Sequence, residues 1–167
     1  MDAYVTTSLF DWRLWLAFFL HDIGYWGLEY MDDAQGELHP LRGAWLVSQW
    51  GGHHDGEQWY KFSIMHSRYM AQRWGGAPLS NLYGADKLAI ALTPWWLYVP
   101  LTRLTGEIRE YREAQKNRDD YDMHGHRRGR VSFREDVRWY REVQAKMRIQ
   151  VKAWQENPAS VLRSSAI

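Results

Sequence analysis

An all-α fold is what this 167-residue sequence predicts, and three observations carry that expectation. Apolar residues recur at spacings of three and four through most of the chain, the period of a helix that buries one face. Glycines and prolines stand where such runs stop, at Gly24, Gly51-Gly52, Gly75-Gly76, Pro94 and Pro158. Strand signals are scarce: no Asn-Gly or Asp-Gly turn lies between alternating apolar runs, and the Asp55-Gly56 pair sits in polar surroundings. The expected architecture is a compact bundle of about six helices.

The first helix is expected from about Ser8 to His21, with Phe10, Leu14, Ala17 and Phe18 on its apolar face and Gly24 marking its end. Residues 25–38, with Gly27, Asp32, Asp33 and Gly36, read as a loop. Pro40 suits the first turn of a second helix that runs to about Trp50, and the HHDG stretch that follows reads as a connector. A third helix is expected from about Glu57 to Trp74, and Ser80 is the N-cap expected for a fourth that reaches Thr93. Pro94 opens or kinks a fifth, extending to about Asn117 and turning from apolar to charged midway. Residues 118–130, RDDYDMHGHRRGR, have almost no apolar content and read as a linker in which three arginines offset an acidic run. From Phe133 the series Val137, Tyr140, Val143, Met147, Val151, Trp154 marks a last helix that stops before Pro158. The domain reading is therefore a helical domain over residues 1–118, followed over 119–167 by a charged linker and a helix that packs on that domain or on a partner subunit.

Composition narrows the function classes. Lys plus Arg (21) nearly balances Asp plus Glu (20), a formal net charge of +1 that supplies no long-range field for duplex nucleic acid. Cysteine is absent, which excludes disulfides, thiolate metal sites and cysteine nucleophiles, so any metal must take N and O ligands. The apolar stretch Leu14 to Leu20 follows Asp11 and Arg13 with no small-residue cleavage site after it, which argues against a secretory signal and for a cytoplasmic protein. The longest uncharged run, LAIALTPWWLYVPLT, is shorter than the roughly 20 residues a membrane span needs and holds Pro94 and Pro100. It reads as a buried helix, not a membrane segment. Eleven tryptophans need places in the core or at an interface; for Trp95, Trp96 and Tyr98 the reading favoured is a homo-oligomer interface.

Chemistry-bearing residues fall on successive expected helices: His21-Asp22 at the end of the first, His39 at the start of the second, His66 inside the third and Asp86 inside the fourth. Imidazole and carboxylate are suitable ligands for Mn, Fe, Co, Ni, Zn or Mg, and ligands on separate helices of a bundle can point to one centre. Asp22, with two oxygens, could bridge two ions.

In wording and order these residues resemble the HD-domain superfamily of metal-dependent phosphohydrolases. The resemblance rests on Phe19-Leu20-His21-Asp22-Ile23-Gly24-Tyr25, His39-Pro40-Leu41-Arg42-Gly43-Ala44, His66-Ser67-Arg68 and Tyr83-Gly84-Ala85-Asp86-Lys87-Leu88, and covers about residues 8 to 105. It implies an HD-domain-like bundle with a metal site between helices, in which His21, Asp22, His39, His66 and Asp86 hold one or two divalent ions. The family's first histidine lies upstream of the dyad. None of the seven histidines here precedes His21, and Asp11 or the His53-His54 pair are the residues considered for that place.

The implied reaction is hydrolysis of a phosphate ester or phosphoanhydride, in a phosphorylated small molecule such as a nucleotide, with Asp22, Arg68 and Lys87 in the catalytic set. Arg42 is a further phosphate contact, Glu29 and Glu37 are candidate proton carriers, and Tyr25 and Trp26 either stack on a base or close the helix end. Two other readings stand beside it: a diiron oxygenase on the same ligand set, and a catalytically silent scaffold that binds a nucleotide or a protein partner.

Overall fold

A computed structural model describes residues 4–5, 8–27, 35–50, 55–109, 132–157 and 161–162. Of the expected HHDG connector, His53 and His54 lie outside the described residues, as do the linker at 118–130 with its arginine cluster and Glu29, whereas Asp55 is the N-cap of a helix that Gly56 opens. Among the described residues the chain is all-helical, without strands: α1 (Trp12–Leu20), α2 (Pro40–Trp50), α3 (Gly56–Ile64), α4 (Arg68–Arg73), α5 (Asn81–Leu92), α6 (Trp95–Thr105) and α7 (Phe133–Glu156), with 3-10 turns at Ile23–Tyr25 and Gly36–Leu38.

Several boundaries follow from local chemistry. Asp11 accepts from the Arg13 N–H at 3.0 Å, so α1 begins at Trp12 and not at Ser8, and Phe10, expected on its apolar face, is 99% exposed. Pro40 opens α2 and Trp50 ends it, as the sequence predicts. The single third helix expected over 57–74 is two helices. Ser67 Oγ accepts from the Met70 N–H at 3.4 Å to start α4, and the carbonyl of Met65, just past α3, accepts from Ser80 N–H at 3.0 Å. His66 therefore sits in the break between helices and not inside one. The fifth helix is broken at Gly106, its left-handed C-cap; residues 107–109 are helical again, and 110–117, the rest of the expected helix, lie outside the described residues. Ser132 and Glu135 form a reciprocal capping box that starts α7 at Phe133.

The α1 helix packs through Ala17, Leu14 and Phe18 against Val47 of α2, Trp59 and Phe62 of α3 and Leu82 of α5. A second core joins Ala44, Ile64, Met70 and Tyr83, and a third joins Val99, Ile108 and Tyr140. The run LAIALTPWWLYVPLT is not one buried helix. Thr93-Pro94 splits it between α5 and α6, and Leu92, Trp96 and Leu101 face outward at 66%, 62% and 53% exposure. No helix among the described residues is long and apolar enough to cross a membrane. Trp59 is buried, but most other tryptophans, including Trp12, Trp15, Trp26 and Trp45, keep large exposed areas, so the core does not account for their number.

The α7 helix lies on α5 and α6 and completes the end of α5. Pro94 has no N–H to return to the Ile90 carbonyl four residues earlier; the Tyr140 hydroxyl shares its one proton between that carbonyl, at 2.8 Å, and Thr93 O, at 2.9 Å. One and two turns further on, Gln144 donates to Ala91 O at 3.1 Å and Arg148 to the same carbonyl at 3.2 Å. Three side chains on one stripe of α7 thus satisfy carbonyls that a helix end leaves orphaned. Tyr140→Phe keeps the buried ring and its 4.0 Å stack on Tyr98. It is expected to cost about 1–3 kcal/mol in a urea melt, because the Ile90 carbonyl of this half-buried residue loses its donor.

Candidate metal centre

His21 follows directly on α1, Asp22 precedes the turn Ile23–Tyr25, His39 follows the turn Gly36–Leu38, and His66 lies just past α3. Each histidine therefore stands where a helical segment has just ended, with the carbonyl three residues back within reach of its ring; the Gly36 and Ser63 carbonyls also accept from the His39 and His66 N–H, at 3.0 and 3.5 Å. Each ring uses that carbonyl. His21 Nδ1 lies 2.6 Å from Phe18 O, His39 Nδ1 2.7 Å from Gly36 O, and His66 Nδ1 2.5 Å from Ser63 O. A carbonyl can only accept, so Nδ1 carries the proton in all three rings and the Nε2 atoms are left to face the centre.

Asp22 divides its carboxylate among them. Oδ2 lies 3.1 Å from His21 Nε2, and Oδ1 lies 3.3 Å from His39 Nε2 and 3.6 Å from His66 Nε2. Asp86, on α5, places Oδ1 3.6 Å from His21 Nε2 and gives Oδ2 to Lys87 Nζ at 2.7 Å. The Nε2 atoms of His39 and His66 approach to 3.3 Å. His21, His39 and His66 are buried, whereas the Asp22 side chain remains 47% exposed and forms the open edge of the cluster.

These contacts fit a cation better than they fit hydrogen bonding. His21 Nε2 is buried and makes no hydrogen bond of acceptable geometry. Two Nε2 lone pairs facing each other repel unless a positive charge lies between them. Atoms each about 2.0–2.2 Å from one ion in tetrahedral array stand roughly 3.3–3.6 Å apart, close to the spacings above. One atom each from His21, Asp22 and His66 lie within 4.8 Å of one another. The donors are imidazole nitrogen and carboxylate oxygen, which suits Mn, Fe, Co, Ni or Zn.

Without an ion, the protons rearrange to supply the charge. Burial opposes an imidazolium at His21, but the Asp22 and Asp86 carboxylates outweigh it and push its pKa up to about 10. Burial also resists ionisation of Asp86, yet His21 and Lys87 bring it down to about 2. Asp22 likewise overcomes its own desolvation and is held far below the usual carboxylate range by the histidines around it. Burial dominates at His66, aided by the charge on His21, and lowers its pKa despite Asp22. His21 thus takes the proton and His66 stays neutral. A raised histidine stabilises the fold fully below its unfolded value near 6.5 and loses that contribution as pH rises through about 10. A depressed carboxylate stabilises above its unfolded value near 4 and loses that contribution as pH falls through about 2, the Asp86 value. The buried neutral His66 adds a contribution that is full above about pH 6.5 and lost as pH falls below it. The metal-free protein is therefore expected to melt highest near about pH 6.5, with its melting temperature falling on both sides. Metal uptake at neutral pH should release the His21 proton, measurable as a dependence of the calorimetric binding heat on buffer ionisation enthalpy.

Two glycines let these segments meet. A Cβ on Gly24 would lie 2.0 Å from the His39 carbonyl oxygen, and one on Gly43 would lie 2.2 Å from the Leu20 carbonyl oxygen. The turn after the dyad can therefore rest on the His39 backbone while α2 rests on the end of α1.

All five residues expected as metal ligands, His21, Asp22, His39, His66 and Asp86, come together. Lys87, expected in the catalytic set, is held on the Asp86 carboxylate and lies over the Tyr83 ring at 5.7 Å. Arg68 begins α4, half-buried and within electrostatic reach of Tyr83. Arg42 is exposed and donates to Trp26 O at 3.2 Å, on the rim of a depression of about 340 Å³ that His39 also lines. Glu37 is exposed. Asp11 does not fill the missing histidine's place: it caps α1 at the end opposite His21 and is paired with Arg13 at 2.7 Å. His53 and His54 lie outside the described residues. Tyr25 stacks on His39, and Trp26 is 79% exposed. Sequence reasoning missed the three carbonyl partners, whose signal is a histidine three residues after a carbonyl at a helix end. No protein-family model, no curated protein and no solved structure matches this chain.

Proposed function

We propose that this chain is a metal-dependent phosphohydrolase of the HD-domain type, acting on a phosphate ester or phosphoanhydride of a small molecule such as a nucleotide. The observation that carries the reading is the convergence of three Nε2 atoms on the two oxygens of Asp22, with His21 Nε2 buried and lacking a hydrogen bond. His21, Asp22 and Asp86 would hold one divalent ion, and Asp22, His39 and His66 would hold or share a second. The chemistry a divalent cation supplies when bound to such donors is a lowered pKa for water and an offset to charge on phosphoryl oxygens.

The chain's own residues do the remaining work. Asp22 connects the two halves of the ligand set through separate oxygens, and Lys87 keeps Asp86 turned toward His21. The exposed edge of Asp22 gives a phosphoryl group access to the ligand set without a path through the core. Arg42 and Arg68 are the cations available to meet a phosphate.

Release of inorganic phosphate from a panel of nucleotides and phosphate monoesters, with Mn²⁺ or Co²⁺ and with chelator, tests this. Chelator-sensitive release that proceeds equally without oxygen supports hydrolysis. Turnover that requires oxygen would replace it with the oxygenase reading, and no metal uptake with no turnover would leave the scaffold reading.

A further inference from the structure

We propose that Tyr25 is a positioning residue for His39, its ring stacked on the imidazole so that Nε2 stays aimed at Asp22 Oδ1. The two rings lie 4.0 Å apart between centroids and 15° from parallel. The consequence for metal binding rests on the reading of the cluster as a metal site; the positioning itself does not.

His39 needs such support more than its two counterparts. His66 is enclosed by the core just past α3, and His21 is tied to the last turn of α1. His39 lies between a 3-10 turn whose Glu37 and Leu38 are exposed and a depression of about 340 Å³ lined by Gly24, Gln35, Leu38, Leu41 and Arg42. Its Nδ1 bond to Gly36 O lasts only while the plane keeps its angle, because a turn of the ring about its Cβ–Cγ bond carries Nδ1 away from that carbonyl. His66 meets it edge-on, with centroids 5.4 Å apart and planes at 65°, which leaves a face to be covered. Tyr25 covers one. It can do so because Gly24, the residue before it, rests on the His39 backbone at a distance no Cβ would allow. In LHDIGY the glycine and the tyrosine thus act together: one permits the approach and the other uses it.

The experiment compares wild type, Tyr25→Phe and Tyr25→Leu, with thermal melts to establish that each folds. If Tyr25→Leu does not fold, Tyr25→Met, equally without a ring, takes its place. Long-range ¹H–¹⁵N correlation spectra of the metal-free proteins at pH 8 report the imidazole tautomers. Wild type and Tyr25→Phe are expected to hold His39 in the single Nδ1–H tautomer, and Tyr25→Leu to show averaged nitrogen shifts at His39 with His21 and His66 unchanged. Chelator competition with Mn²⁺ or Zn²⁺ is expected to show Tyr25→Leu weakened about 10–100-fold, the range typical of losing a residue that orients a ligand, and Tyr25→Phe near wild type. A single His39 tautomer in Tyr25→Leu overturns the proposal, as does a Tyr25→Phe protein that behaves like Tyr25→Leu. A wild type that takes up no metal while its tautomer pattern follows expectation contradicts the metal reading and leaves the positioning of His39 supported.

Discussion

Asp22→Asn should leave the protein folded and take away both metal and phosphate release. Asparagine matches the aspartate in size but carries no charge, and its amide nitrogen can donate where an oxygen accepted. The three histidines would then lose the group they share, since Oδ2 faces His21 and Oδ1 faces His39 and His66. Metal content, measured by elemental analysis after dialysis, is expected to fall below a tenth of an ion per chain, roughly the loss from one or more missing charged ligands. Phosphate release should drop by at least about 10²–10³-fold, the scale seen when one preorganised electrostatic group is removed. Loss of turnover with full metal content would place Asp22 outside the ligand set.

Gly43→Ala should destabilise the fold, although local propensity argues the other way. Alanine in a helix interior is favoured over glycine by about 1 kcal/mol. Here the added Cβ would lie 2.2 Å from the Leu20 carbonyl oxygen and 3.0 Å from that of His21, and both are backbone atoms of the segment that carries the dyad. Neither can move without shifting α1 from α2. Overpacking costs about 1–3 kcal/mol, and contact with fixed backbone atoms belongs at the upper end, about 3 kcal/mol; less the propensity gain of about 1 kcal/mol, the net change is expected to be about 2 kcal/mol against the fold, a fall of roughly 4–8 °C in melting temperature for a chain of this length. Because the displaced segment holds His21 and Asp22, metal affinity should fall with it. A melting temperature equal to or above wild type would show that the two helices are free to separate.

What the sequence made legible was what depends on neighbours along the chain. Pro40 and Trp50 bound α2, Ser80 stands before α5, and the run from Phe133 ends before Pro158, because caps and breakers act within a few residues. The break at His66 was not legible. It depends on Ser80 donating to Met65 O across a connection of fifteen positions, and on an imidazole taking the Ser63 carbonyl. Nor did periodicity separate α5 from α6 in their burial, since Leu92, Trp96 and Leu101 are apolar yet exposed.

At the site, the order of His21-Asp22, His39, His66 and Asp86 was enough to name the cluster. Its fine placement was not, because Gly24 against His39 and Tyr25 over His39 are tertiary contacts. Lys87 illustrates the same limit. A lysine beside an aspartate reads equally as a phosphate contact or as that aspartate's partner, and its 2.7 Å contact with Asp86 Oδ2 is a detail the sequence does not display.

The most direct test of the metal centre is a crystal structure of protein grown or soaked with Mn²⁺ or Zn²⁺, with anomalous differences collected at the metal edge. The expected result is one or two peaks bonded at about 2.0–2.3 Å to His21 Nε2 and Asp22, with Asp86, His39 and His66 completing the shells. Peaks confined to the surface, or none within reach of Asp22 in fully loaded crystals, would contradict it.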